Sequence, residues 1–280
     1  MTLRRSSRRF EYAALLMVLG FALVLNGCSS DEVPPPPDAD VLFQQAMAKY
    51  KDGDYQEAYN DFRIITLQYQ GSTFSDDAQF YMGECKFQRE EYILAAYEYD
   101  VLIRTMPTSE FVPNARFQKA MCYYHLSPRS YLDQQYTHKA IDEFQSFIEY
   151  HPTDPRVTDA EAKINELNTK LAKKEYDSGI IYMKMQYYRA ATVTFEFILE
   201  KYHDTSYAEP ALLKKAESLY ERRKYSEALA SATLFLEKYP KSSLRSDAES
   251  IRDDAQSKMG SKQESRQTAS ATTDGKSRQP

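Results

Sequence analysis

Gly53-Asp54-Tyr55-Gln56-Glu57-Ala58, with Phe62 four residues further on, reads as a tight turn between two amphipathic helices. The phrase returns as Tyr92, Ala95 and Tyr99, as Tyr188, Ala191 and Phe195, and as Tyr225, Ala228 and Ala232. Ala58 and Ala95 stand 37 residues apart, and so do Ala191 and Ala228. A fixed period in the thirties, with every unit reading helix-turn-helix, marks a stacked helical repeat. A further copy ends in Ala140 and Phe144, 45 residues after Ala95, and therefore carries eight extra residues.

These units resemble the tetratricopeptide (TPR) pattern, in which a small residue and a Tyr on the first helix precede an Ala and an aromatic on the second. Gly179, Tyr182, Ala191 and Phe195 fit all four places, and Pro107, Pro152 and Pro240 fall where that family ends its second helix. Small residues let paired helices approach closely, and the aromatic ring fills the gap above them. The fold expected is all-α, a right-handed α-solenoid of about five TPR-like helix-turn-helix repeats over residues 39–258.

Composition agrees with helices packed on rings. The chain has only 8 Gly but 23 Tyr and 14 Phe, which argues against a turn-rich sheet protein. Its net charge of -5 understates the acidity, because Arg4, Arg5, Arg8 and Arg9 crowd the amino terminus. Without the first 27 residues the balance is 32 basic against 40 acidic, a net -8. Such a surface repels phosphate backbones, so nucleic acid is not an expected partner.

The four arginines lead into an apolar run from Ala13 to Leu25 that closes on Leu25-Asn26-Gly27-Cys28. A run of that length suits a secretory signal and is short for a membrane span. Its ending resembles the bacterial lipobox, with Asn26 a less usual second residue. The resemblance implies a signal peptide over 1–27, cleavage before Cys28, lipid attachment to that cysteine, and retention on a membrane without crossing it. Ser29 in place of Asp favours the outer membrane under the sorting rule of enteric bacteria. Pro34 to Pro37 make 28–38 an extended spacer.

Within the repeats, Phe43, Phe80 and Phe117 occupy one place at intervals of 37, and Tyr50, Phe87 and Tyr124 a second place seven residues later. Seven residues are two helical turns, so both rows share a face. In TPR proteins that face lines the inner groove, which makes these six residues candidates for a client-binding surface. The same spacing is equally met if they fill the joints between units. Chaperone-binding TPR grooves carry Lys and Asn at such places, and aromatic residues speak against that use.

Cys85 and Cys122, again 37 apart, read as buried free thiols because packed helices stand too far apart for a disulfide. Repeats 1–3 span about 39–155, with a loop inserted in the third around Leu126-Ser127-Pro128-Arg129-Ser130-Tyr131. A long linking helix is expected at about 157–174, repeats 4–5 and a cap at about 175–258, and a disordered tail at 259–280.

No Gly-rich phosphate loop, Cys-x-x-Cys pair or His-Glu-x-x-His helix occurs. The carboxylates read as solvated helix faces, and no catalytic residue, metal site or cofactor is expected.

A lipoprotein of five TPR units with an interrupted third and a long helix before the fourth resembles the BamD family of the outer-membrane β-barrel assembly machinery. Leu171-Ala172-Lys173-Lys174-Glu175-Tyr176 is similar to that family's helix entering the fourth repeat. The resemblance implies a non-catalytic scaffold on the periplasmic face of the outer membrane. Its partners would be the barrel-forming BamA, other lipoproteins of the machinery, and unfolded β-barrel clients. Service in another envelope process, such as cell-wall coordination or pilus assembly, is the alternative.

Overall fold

The computed structural model describes residues 38–276. Among them are eleven α-helices and no strand: α1 (Ala39–Asp52), α2 (Tyr55–Gln68), α3 (Ser75–Gln88), α4 (Tyr92–Thr105), α5 (Val112–Leu126), α6 (Gln135–Tyr150), α7 (Val157–Lys184), α8 (Tyr188–Lys201), α9 (Ala208–Glu221), α10 (Tyr225–Lys238) and α11 (Arg245–Lys276). Each packs chiefly on the helices before and after it, and α9 also meets α11. Neighbour-only packing of five hairpins, α1/α2 to α9/α10, is a helical TPR solenoid, as the 37-residue period predicts.

In four of the five repeats the turn between the paired helices is set by one backbone conformation. Gly53 takes φ 88°, while the N–H of Asp54 reaches back to the carbonyl of Lys49 at 2.9 Å and closes α1. The same left-handed cap recurs at Glu90, Gln186 and Arg223, with φ between 58° and 63°. Only the first of these uses the residue that adopts this region without strain. In the third repeat Ser127 precedes Pro128 and is pushed to extended backbone, φ -64° and ψ 116°, so α5 runs into a loop instead.

A second device builds the turns between repeats. Ser72, Ser109, Asp154 and Ser242 each accept, through a side-chain oxygen, the N–H two residues on, at 2.9 to 3.1 Å. That bond satisfies a backbone donor at the start of the next helix. Ahead of three of these turns stand Pro107, Pro152 and Pro240, which stop the preceding helix.

The core is a row of small clusters. Ala58, Ala95, Ala140, Ala191 and Ala228 are all fully buried, and Phe62, Tyr99, Phe144 and Phe195 lie buried four residues after the first four. Each buried ring contributes about 1.5 to 3 kcal/mol of burial free energy. Gly83 and Gly179 matter for close approach: a β-carbon there would meet Tyr99 and Phe195 at 2.5 and 2.6 Å.

Two boundaries differ from those the sequence suggests. The linking helix and the first helix of repeat 4 are one unbroken helix, α7, with Ala160, Leu167 and Leu171 packed on repeat 3 and Ala172 on repeat 4. No Gly or Pro interrupts Val157 to Ser178, so nothing divides it. At the other end, α11 runs from Arg245 to Lys276, past the cap boundary expected at about 258. Its Ala248 and Ala255, two turns apart, cover repeat 5.

Candidate docking surfaces

The aromatic rows come together, and the packing buries the two rows to different depths. Phe43 lies against Phe62, Phe74 and Tyr81, with ring centroids 5.1 to 6.3 Å apart. Phe80 lies against Tyr81, Tyr99 and Phe111, and Phe117 against Phe144 and Phe147. Phe43 and Phe80 retain only 8% exposure, so these rings fill the joints between helices instead of facing solvent. The second row is half-buried. Tyr50 packs on Tyr55 and Tyr81, and Phe87 packs on Tyr92 and His125. Tyr124 lends its ring to the Lys163 ammonium at 4.3 Å and its hydroxyl to Glu166 at 2.7 Å. His125 stacks on Tyr92 at 4.8 Å, extending this face by one ring.

Behind the rows runs a ladder of buried carboxylates. Glu98 accepts from the Tyr59 hydroxyl at 2.9 Å and the Gln79 amide at 2.8 Å, tying repeat 1 to repeat 2. Glu84 accepts from the Tyr99 hydroxyl at 2.7 Å and the Gln118 amide at 2.9 Å, tying repeat 2 to repeat 3. Both are buried, which corrects the expectation that carboxylates occupy solvated faces. Their spacing held the signal: Glu98 follows Ala95 by three residues and precedes Leu102 by four, on the buried stripe of α4. Burial, reinforced by the bond to Glu98, pushes the Tyr59 hydroxyl up to about 12. Lys119 bridges the same region, contacting Asp100 at 2.9 Å and Glu143 at 2.8 Å.

Cys85 and Cys122 are free and fully buried. Burial pushes the Cys85 thiol up to about 12 and Cys122 higher still, so neither is a nucleophile at neutral pH.

The fourth repeat carries an exposed apolar cluster that the sequence did not single out. Ile181, Met185, Tyr187 and Val193 are each more than half exposed, and Tyr182 is partly exposed beside them in sequence. Tyr182, Tyr187, Val193, Arg189 and Arg222 line an open groove of about 670 Å³ beside the Gln186 turn. The hint was the run Ile180-Ile181-Tyr182-Met183, followed by Met185 and Tyr187, more apolar than one helical stripe can bury.

Among the described residues no three His, Cys, Asp or Glu side chains converge as metal ligands, and no helix is long and apolar enough to cross a membrane. The expected signal peptide, the Cys28 lipid site and the proline spacer up to Pro37 lie outside the described residues.

The YfiO family model, that of an outer membrane lipoprotein, matches residues 36–223, and a tetratricopeptide-repeat model matches residues 210–242. The outer membrane protein assembly factor BamD of Rickettsia prowazekii (strain Madrid E) is 28% identical over 81% of this chain and 90% of its own length. The factor of the same name from Caulobacter vibrioides is 26% identical over 64% of this chain and 59% of its own. The first family match spans well over half of the chain, from the start of α1 through the groove residue Arg222. The chain therefore belongs to the YfiO family of outer membrane lipoproteins, and its relatives are named outer membrane protein assembly factors.

Proposed function

We propose that this chain is a non-catalytic scaffold of β-barrel assembly, lipidated at Cys28 and held on the periplasmic face of the outer membrane. Repeats 4 and 5 dock the barrel-forming partner, a BamA-like protein, and repeats 1–3 receive unfolded β-barrel clients. The observation that carries this reading is the exposed apolar groove of repeat 4 with Arg189 and Arg222 in its wall. Solvent-facing Tyr and aliphatic side chains beside arginine have the composition of interface hot spots. The relatives' name, assembly factor BamD, supports the choice of process.

For clients, the half-buried row of Tyr50, Phe87 and Tyr124, extended by His125, offers ring edges to segments ending in an aromatic residue. Phe43, Phe80 and Phe117 back that row from within.

The docking reading is tested by calorimetric titration of the purified chain with the periplasmic domains of its own organism's barrel protein. Tyr187→Asp with Val193→Asp is expected to weaken binding at least about tenfold with helicity unchanged. Affinity unaltered by both substitutions removes repeat 4 from the interface.

A further inference from the structure

The loop that interrupts repeat 3, residues 127–134, is built to hold one shape. Gln134, itself buried, donates its amide to the carbonyls of Arg129, Ser130 and Leu132 at 2.9 to 3.3 Å and accepts from the Thr137 hydroxyl at 2.7 Å. From the other side α7 fastens it: Lys170 donates to the Ser127 hydroxyl at 2.8 Å and Lys174 to the Leu132 carbonyl at 2.9 Å. A loop so fully bonded nevertheless leaves Tyr131 68% exposed and Leu132 48% exposed. Holding apolar side chains rigid in water gives the folded chain nothing, whereas it lowers the ordering cost of a partner that covers them.

Between the loop and α7 lies a cleft of about 530 Å³, with Tyr131 and Tyr207 among its walls and Arg129, Lys170 and Lys173 around it. Its two carboxylates are already engaged, Glu166 by the Tyr124 hydroxyl and Asp177 by Lys173 at 2.7 Å. Arg129 makes only a 3.5 Å contact to the Tyr131 hydroxyl. Arg129, Lys170 and Lys173 outnumber Glu166 and Asp177 by one, so the lining carries a net positive charge on a chain whose net charge is -5.

We propose that this cleft is a docking site for an extended, acidic peptide segment of a partner protein, with a carboxylate meeting Arg129 and a leucine or aromatic side chain resting on Tyr131. Charge complementarity selects the segment, and the prebuilt loop supplies the apolar contact. The cleft shares no lining residue with the repeat 4 groove, so loss of either interaction leaves the other measurable.

The test is fluorescence anisotropy with a fluorescein-labelled peptide in which Asp alternates with Leu or Tyr, set against the same peptide with Lys for every Asp. On the purified chain the acidic peptide is expected to bind at least about tenfold tighter, and to weaken as salt is raised. Arg129→Glu with Lys173→Glu, which reverses two of the cleft's three positive charges and leaves the Lys170 and Lys174 bonds to the loop in place, is expected to remove that preference, with circular dichroism unchanged. Tyr131→Ala is expected to lower affinity roughly fivefold. Equal binding of the two peptides overturns the proposal, as does an affinity indifferent to the double substitution. Sedimentation as a dimer that Tyr131→Ala dissolves also overturns it, because the patch then serves a second copy of the chain.

Discussion

Gly83 and Tyr99 touch so closely that a β-carbon on the glycine would sit 2.5 Å from Cε1 of the ring. Tyr99 cannot swing aside, because it is fully buried and its hydroxyl is bonded to Glu84. Two effects oppose each other in Gly83→Ala: helix propensity gains about 1 kcal/mol, while forcing extra volume into a packed joint costs about 1 to 3 kcal/mol. The second wins, and Gly83→Ala and Gly179→Ala are both expected to lower the midpoint of urea unfolding. An unchanged or raised midpoint would mean that the rings yield.

The left-handed caps give the opposite sign. Glu90, Gln186 and Arg223 occupy a backbone region that costs a side-chain-bearing residue about 1 kcal/mol. Glu90→Gly and Arg223→Gly are expected to stabilise the chain by about 0.5 to 1 kcal/mol each. Gly53→Ala should destabilise by a similar amount although no atom lies within 4 Å of the site, because the obstacle there is φ, not space. Thermal melts of the three variants check the set.

Glu98→Ala strands the Tyr59 hydroxyl in the joint between repeats 1 and 2, at a cost of about 1 to 3 kcal/mol, while the Gln79 amide keeps its 3.0 Å bond to the carbonyl of residue 98. The same joint sets an alkaline limit. A tyrosine titrates near 10 in the unfolded chain, whereas Tyr59 holds its proton to about 12 when folded. Because the folded value is the higher one, its contribution to stability is complete below pH 10 and is lost as pH climbs towards 12. Burial raises Tyr50 and Tyr99 in the same direction. Tyr59→Phe is therefore expected to flatten the loss of unfolding free energy between pH 10 and 12. A slope equal to that of the unaltered chain would contradict the coupling.

Phe80 and Tyr124 separate structure from binding. Phe80→Ala empties a buried joint and is expected to cost about 3 to 5 kcal/mol. Tyr124→Ala removes a half-buried ring whose hydroxyl bond to Glu166 is exposed, and should cost far less stability. If the second row receives clients, Tyr124→Ala weakens binding of a peptide with an aromatic carboxy-terminal residue while the fold persists. Undiminished binding would take Tyr124 out of the client surface.

What could be read from the chain alone follows from which interactions are local. The 37-residue spacing of Ala58 and Ala95 announces hairpins because each small residue must meet its own partner helix within one repeat. It does not say whether Phe43 faces a groove or a joint, since that depends on Phe74 and Tyr81 of the helix beyond. For Glu98 only half of the answer was local: its place on the buried stripe of α4 signals burial, but its partner Tyr59 lies 39 residues back, beyond the reach of any local pattern. The caps at Glu90, Gln186 and Arg223 carry no Gly or Asn to mark them. The exposed cluster around Tyr187 was visible as excess apolar residues, but its exposure depends on the packing of α7 and α8.

The scaffold reading is tested most directly by affinity purification of the full-length chain from detergent-solubilised membranes of its own organism, followed by identification of the proteins retained. A barrel-forming outer-membrane protein with periplasmic domains is expected as the principal partner, and Tyr187→Asp with Val193→Asp should deplete it. Recovery of cell-wall or pilus components, with no barrel protein among those retained, would contradict the account.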